Sequence, residues 1–348
     1  MKHRTLFSIL FALLMSGSLA NAQLTIAQST VVHEVIPAKL YHGYLMVVQG
    51  TIGDLGKRNF AIDTGAFPSV IDRSLAKKLH LDAKREELRV VDRNLNLEAA
   101  SVPSVEIGSL RASGVRMVVE DLTSISENFR VHLDAIIGLD VLAARNFRID
   151  YSAKRLIFDP GDALSMSAPM RRVDAMACID LQVDERPARL LLDTGGASVL
   201  LFANRLPWAA TLAGAAHTYA NLGGTFRLRE VPLSSLALHK TNLGSTPLGS
   251  TPVYVSDARN MSDFHFDGLL ATGTLPVSRI DFDFKHQLFG WEPSTSKRDV
   301  SRIRDAAEAR PAFSLTPAAP LSSVGLSSPC VTSGFCGTPG PIRIMSNK

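Results

Sequence analysis

The chain has 348 residues, 46% of them apolar, with 37 basic and 33 acidic residues and a formal charge of +4. That length accommodates two domains of ordinary size and that apolar share supplies a core to each, so disorder is not the default expectation for the chain. The basic residues are scattered and not interleaved with aromatics, which leaves no case for a nucleic-acid groove.

In chain order, Lys2 and Arg4 precede an apolar run from Leu6 to Met15, followed by Ser-Gly-Ser-Leu-Ala-Asn-Ala ending at Ala22. This is the layout of a secretory signal peptide, so residues 1–22 are expected to be removed and the mature protein to start near Gln23. Without Lys2 and Arg4 the count is 35 basic against 33 acidic residues, or +2. The apolar run is too short to span a bilayer, and no later window is long enough, so no membrane span is expected. The expected location is extracytoplasmic, periplasmic in a Gram-negative host or secreted.

The next stretch repeats itself. Asn59-Phe60-Ala61-Ile62-Asp63-Thr64-Gly65-Ala66 is echoed by Arg189-Leu190-Leu191-Leu192-Asp193-Thr194-Gly195-Gly196, 130 residues on. Asp134-Ala135-Ile136-Ile137-Gly138 is echoed by Asp267-Gly268-Leu269-Leu270-Ala271, and Arg148-Ile149-Asp150-Tyr151 by Arg279-Ile280-Asp281-Phe282. Three landmarks in one order at nearly one offset indicate a duplicated unit. Both copies carry apolar runs of strand length broken by Gly, Pro, Asn and Asp, so the expected fold is mostly β, as two homologous lobes related by a pseudo-two-fold. The expected bounds are an N-terminal lobe over 31–160, a linker over 161–169, a C-terminal lobe over 170–293 and a low-complexity tail over 294–348. Helices are expected over 73–79, 203–212 and 300–310. In the tail, Cys330 and Cys336 are spaced for a small disulfide loop, while Cys178 reads as a buried strand residue.

Each Asp-Thr-Gly follows an apolar strand. A carboxylate at the rim of a core has its charge disfavoured by burial and requires a partner or a hydrogen-bonding cage. Gly65 and Gly195 permit a turn whose backbone N–H groups point at the carboxylate. Thr64 and Thr194 add a hydroxyl and a β-branched body suited to interlocking across a two-fold axis. Facing lobes would bring Asp63 and Asp193 close enough to share one proton, leaving one acid and one base around a water.

With both Asp-Thr-Gly turns and the Ile136-Ile137-Gly138 and Leu269-Leu270 runs, the chain resembles the aspartic peptidase clan of pepsin and the retropepsins, over about Val47 to Pro293. The wording is most similar to bacterial retropepsin-like domains. The resemblance implies general acid–base hydrolysis of a peptide or protein substrate by Asp63 and Asp193, with no covalent intermediate, no metal and no cofactor. Because both half-sites are encoded in tandem and the link 161–169 is short, one chain is expected to hold a complete site and act as a monomer, the alternative being a homodimer of single-site lobes. Gly223 and Gly224 stand where a retropepsin-like flap tip would be, and Asp92-Arg93-Asn94 is the polar counterpart in lobe one. Two departures stand out: Ala271 replaces the second Gly of the family pattern, and no Tyr occurs between Lys84 and Ala100. The competing reading is an inactive pseudo-peptidase that binds extended peptides in the cleft by strand addition.

Other motifs carry blander readings. Ser74-Leu75-Ala76-Lys77 matches a Ser-x-x-Lys pattern but sits on a short amphipathic helix without companion motifs. Asp150 and Asp281 read as turn or strand-end residues, and Trp208 and Trp291 as packing. Ala66 and Gly196 offer no side-chain donor to the carboxylates, so the pair is expected to titrate above a hydroxyl-supported one unless Ser69 or Ser198 substitutes.

Overall fold

The computed structural model describes residues 33–89, 94–221, 224–232, 236–238, 241–246, 253–257, 264–294 and 316–317. The expected signal segment, the 300–310 helix, Gly223, Cys330 and Cys336 lie outside them. The fold is mostly β, with few and short helices.

The first half contributes β1 (Glu34–Tyr41), β2 (Leu45–Ile52), β3 (Leu55–Ile62), β4 (Val70–Asp72), α1 (Arg73–Lys78), β5 (Lys84–Arg89), β6 (Asn94–Ile107), β7 (Leu110–Glu120), α2 (Thr123–Phe129), β8 (Ala135–Ile137), α3 (Leu139–Leu142), β9 (Phe147–Asp150) and β10 (Arg155–Phe158). The second contributes β11 (Met166–Val173), β12 (Met176–Val183), β13 (Arg186–Asp193), β14 (Val199–Phe202), α4 (Pro207–Ala210), β15 (Ala215–Asn221), β16 (Gly224–Val231), β17 (Leu236–Leu238), β18 (Thr241–Thr246), β19 (Val253–Ser256), β20 (Gly268–Ala271), β21 (Val277–Asp283) and β22 (Leu288–Pro293), with β23 (Thr316–Pro317) beyond.

The same pairings occur in both halves. β3 runs parallel to β8 and β13 parallel to β20; β4 and β14 then insert antiparallel to β8 and β20. On their other edges β4 and β14 run parallel to β7 and β19. Each Asp-Thr-Gly turn therefore joins two strands that flank a common neighbour, and the turn is held at the strand ends from both sides.

A third sheet joins the halves in the order β1, β10, β9, β21, β22, β11. β1 and β11 each serve two sheets. Glu34–Pro37 pairs with β10 and Ala38–Tyr41 with β2, and Met166–Pro169 pairs with β22 and Met170–Val173 with β12. Residues 166–169, expected in the linker, are thus strand. Their period-2 pattern was masked by Pro169, which is tolerated in the ladder at β11.

At the centre of this sheet the repeated tripeptide pairs with its own copy. Arg148 lies opposite Asp281, Ile149 opposite Ile280, and Asp150 opposite Arg279. An antiparallel pair of Arg-Ile-Asp segments places every charge against its opposite, so the motif is self-complementary. Arg148 is 3% exposed and clamps Asp281 through Nε and Nη2 at 2.6 and 2.8 Å, while its Nη1 reaches Asp162 at 2.9 Å. The expectation of a turn or strand-end role for Asp281 is corrected: it is an ion-pair partner within β21. Asp150 ends β9 and accepts the Ala153 N–H.

The core is continuous between the halves. Phe147 and Phe282, on neighbouring strands, stack with centroids 4.8 Å apart, and Trp291 is fully buried beside Phe289. Trp208 lies in α4 under the Arg186 guanidinium, 5.1 Å from its centroid. The helix expected over 203–212 is only one turn, Pro207–Ala210. Pro207 starts it at a position where a missing N–H costs nothing. In α1, Ser74 donates to the N-cap Asp72, a capping contact that accounts for the Ser-x-x-Lys match. Cys178 is fully buried, and burial pushes its thiol up to about 12, as expected of an inert strand residue.

Candidate active site

Asp63 directly follows β3 and Asp193 ends β13, at the strand ends where the two turns face each other. The turns are held by four reciprocal hydrogen bonds. Thr64 N donates to Thr194 Oγ1 at 3.0 Å and Thr194 N to Thr64 Oγ1 at 3.1 Å. Each hydroxyl in turn donates to the strand opposite, Thr64 Oγ1 to Leu192 O at 2.6 Å and Thr194 Oγ1 to Ile62 O at 3.1 Å. Both threonines are essentially fully buried. In that setting an unmade bond costs the desolvation of its group, so the four bonds fix the two turns against one another.

This registration brings the carboxyl groups into contact. A Cβ on Gly65 would lie 2.7 Å from Asp193 Cγ, and one on Gly195 would lie 2.6 Å from both Asp63 carboxyl oxygens. Only glycine leaves room for the opposite carboxylate. Gly65 N donates to Asp63 Oδ1 at 2.8 Å, while Gly195 N and Gly196 N both donate to Asp193 Oδ1 at 2.8 Å. Each carboxyl is therefore the other's nearest facing acid across the two turns. Burial raises both carboxyls above their ordinary range, and Asp63 is raised further by the neighbouring Asp193 charge. Thr64, Gly65, Thr194 and Gly195 are thus brought together around the two carboxyl groups.

Ala271, at the position of the family's Gly, is accommodated by an exchange of methyl groups. In the first half Ala66 faces Gly138, where a Cβ would come within 2.8 Å of the Ala66 carbonyl carbon. In the second half the glycine is Gly196, and a Cβ there would lie 3.4 Å from Ala271 Cβ. The residue without a side chain has moved to the other partner. Gly138→Ala should therefore unfold at lower urea, by about 1–3 kcal/mol, whereas Ala271→Gly should cost about 1 kcal/mol or less. Equal losses in the two variants would contradict this packing account.

A support missed from the sequence lies behind the first turn. Ser69 donates from N and Oγ to Asp140, at 3.0 and 2.5 Å, and its Oγ accepts the Gly138 N–H at 2.8 Å. By strand register Val70 lies opposite Ile136 and Leu200 opposite Leu269, so Ser69 corresponds to Val199. Because the second half keeps neither Ser69 nor Asp140, the repeat held no signal for them. Ser69 is committed to this contact, and the buried Ser198 Oγ makes no hydrogen bond, so neither replaces a donor to the carboxylates. On the second side, Tyr151 and Thr272 share a buried hydrogen bond of 3.0 Å between the halves.

The hairpins expected as flaps are β5–β6 and β15–β16. Arg89 pairs with Asn94 in the first, and Asn221 with Gly224 in the second. Gly224 is the first residue of β16; Gly223, Asp92 and Arg93 lie outside the described residues. Among the described residues no cluster of three or more His, Cys, Asp or Glu side chains is arranged to hold a metal, and no helix is long and apolar enough to cross a membrane.

Residues 48–141 match the family model described as aspartyl protease. This segment is similar to the aspartyl protease family. It contains Asp63, Thr64, Gly65 and the Ile136-Ile137-Gly138 run. Asp193 lies beyond the aspartyl protease match and enters the site through the reciprocal bonds above. Among solved structures the chain is similar to a retropepsin-like aspartic protease from Rickettsia conorii, 20% identical, covering 36% of this chain and 89% of that one at a TM-score of 0.28. No curated protein matches.

Proposed function

We propose that the protein is an aspartic endopeptidase in which Asp63 and Asp193 hold a water between them and hydrolyse peptide bonds by general acid–base catalysis. The observation that carries this reading is the carboxyl pair itself, Asp63 buried and Asp193 half-buried, brought face to face and locked by the Thr64 and Thr194 exchange. Two carboxylates at such separation cannot both ionise, so the pair carries one proton over its working range. A pure binding cleft has no use for that arrangement. Because one chain supplies both aspartates, two lobes across a pseudo-two-fold would act as a monomer, in the extracytoplasmic space that the leader sequence implies.

The test is incubation with a peptide library, wild type beside Asp193→Asn. Cleavage at defined sites by the wild type alone supports the proposal. Peptide binding by both proteins without cleavage by either would establish the inactive-binder reading instead.

The pH dependence follows from the raised carboxyls. A buried carboxyl whose folded pKa is raised contributes stability that is fully present below the ordinary carboxylate pKa and is lost as pH rises through the folded value. Stability should therefore decline above the ordinary carboxylate range, and Asp63→Asn should flatten that decline. The acidic limb of kcat/KM should move to lower pH in Ala66→Ser, which supplies the missing hydroxyl. A limb that stays in place or moves upward would contradict the account of the site.

A further inference from the structure

Equivalent sheet faces are finished differently in the two halves. In the second, Cys178 of β12 pairs with Arg171 on one side and Leu191 on the other, and Asp180 pairs with Arg189. Asp180 thereby lies between two guanidinium groups, accepting from Arg189 Nε at 2.7 Å and from Arg171 Nε at 3.2 Å. The first half keeps that register: Val47 of β2 pairs with Lys39 and Ala61, and Gln49 pairs with Asn59. Lys39, Gln49 and Asn59 therefore stand in the places of Arg171, Asp180 and Arg189. A cation is retained at Lys39, but a neutral amide replaces the carboxylate between the strands.

Lys57, two residues before Asn59 and so on the same face of β3, brings a second cation towards Gln49. Among the described residues neither Lys39 nor Lys57 has a carboxylate partner, and the neighbouring Glu106 is paired with Arg111 at 3.8 Å. Both lysines border a groove of about 620 Å³ whose mostly apolar walls include Tyr41, Val47 and Val131. Neither Asp63 nor Asp193 lines it.

We propose that this groove binds an apolar monocarboxylate. Its headgroup lies over Gln49, where the second half places the Asp180 carboxylate, and its chain lies along Tyr41, Val47 and Val131. The volume is that of a small-molecule site, and apolar walls with a few placed charges are the usual composition of one, which favours a compact ligand over an extended acidic peptide. Lys39, Gln49 and Lys57 are exposed, and exposed ion pairs contribute little. The apolar wall therefore supplies most of the affinity, and the lysines select the charge of the headgroup.

The test is calorimetric titration of the full protein with decanoate below its micelle concentration, beside decanol and acetate, with amide NMR shifts to locate the ligand. Decanoate should bind saturably and shift the amides of Lys39, Gln49 and Lys57; decanol should bind about tenfold more weakly, and acetate should not saturate. Gln49→Asp is the deciding variant. It supplies the carboxylate from within, as Asp180 does, and should lower decanoate affinity to that of decanol while urea unfolding stays as in wild type or moves higher. Lys39→Gln with Lys57→Gln should also erase the preference for decanoate over decanol. Equal binding of the two ligands by wild type, wild-type decanoate affinity in Gln49→Asp, or binding of a Glu-rich peptide where decanoate does not bind would each overturn the proposal. The carboxyl pair takes no part in these measurements, so their failure would leave the peptidase reading standing.

Discussion

Asp63→Asn and Asp193→Asn should each lower kcat by about a thousandfold or more, and the double variant should be little worse than either single one. General acid–base groups typically contribute 10²–10⁴-fold, and residues that act as one unit are not additive when removed. On the proposed reading the unit is a single proton shared by two neighbouring carboxyls, both raised by burial at the turn. Either change leaves one group without its partner. The folded state should survive, because an amide oxygen still accepts from Gly65 N or Gly195 N and the buried like-charge repulsion is gone. Thermal unfolding of the variants should therefore be no lower than wild type near neutral pH. A single variant with activity within tenfold of wild type would end the shared-proton account.

Asp281→Ala should be the most damaging substitution away from the carboxyl pair, costing about 3–5 kcal/mol, because it strands a buried guanidinium. Arg148 is 3% exposed and gives Asp281 two donors, so without that partner its charge is offset only by Asp162, whose side chain is 71% exposed. The loss falls on the strand pair β9–β21 that joins the two halves, so activity and stability should decline together. Asp180→Ala is the control: its pairs with Arg171 and Arg189 are half-exposed, and such surface pairs are worth about 0–1 kcal/mol. Urea unfolding of both variants measures the contrast. If Asp281→Ala costs no more than Asp180→Ala, the buried pair does not hold the halves together.

Much of the site is local in character and was therefore legible without coordinates. An apolar strand ending in Asp-Thr-Gly dictates a rim carboxylate, a turn that admits a neighbour and a buried hydroxyl, and its recurrence 130 residues later supplies the second copy. Strand content, the α1 cap and the buried state of Cys178 follow from pattern and residue type in the same way. The rest depends on contacts between segments distant in sequence. Arg-Ile-Asp could be seen twice, but that the copies pair antiparallel, turning Asp281 into the partner of Arg148, is a property of the register between β9 and β21. Ser69 and Asp140 meet only because β4 inserts beside β8, and having no counterparts in the second half they left no repeat to notice. Ala271 looked like a defect as an isolated letter. Its neighbour across the packed turn is Gly196, and steric fit between two backbones is decided by the pair, so only the tertiary structure could turn that apparent defect into the geometry that gives Asp193 its second N–H.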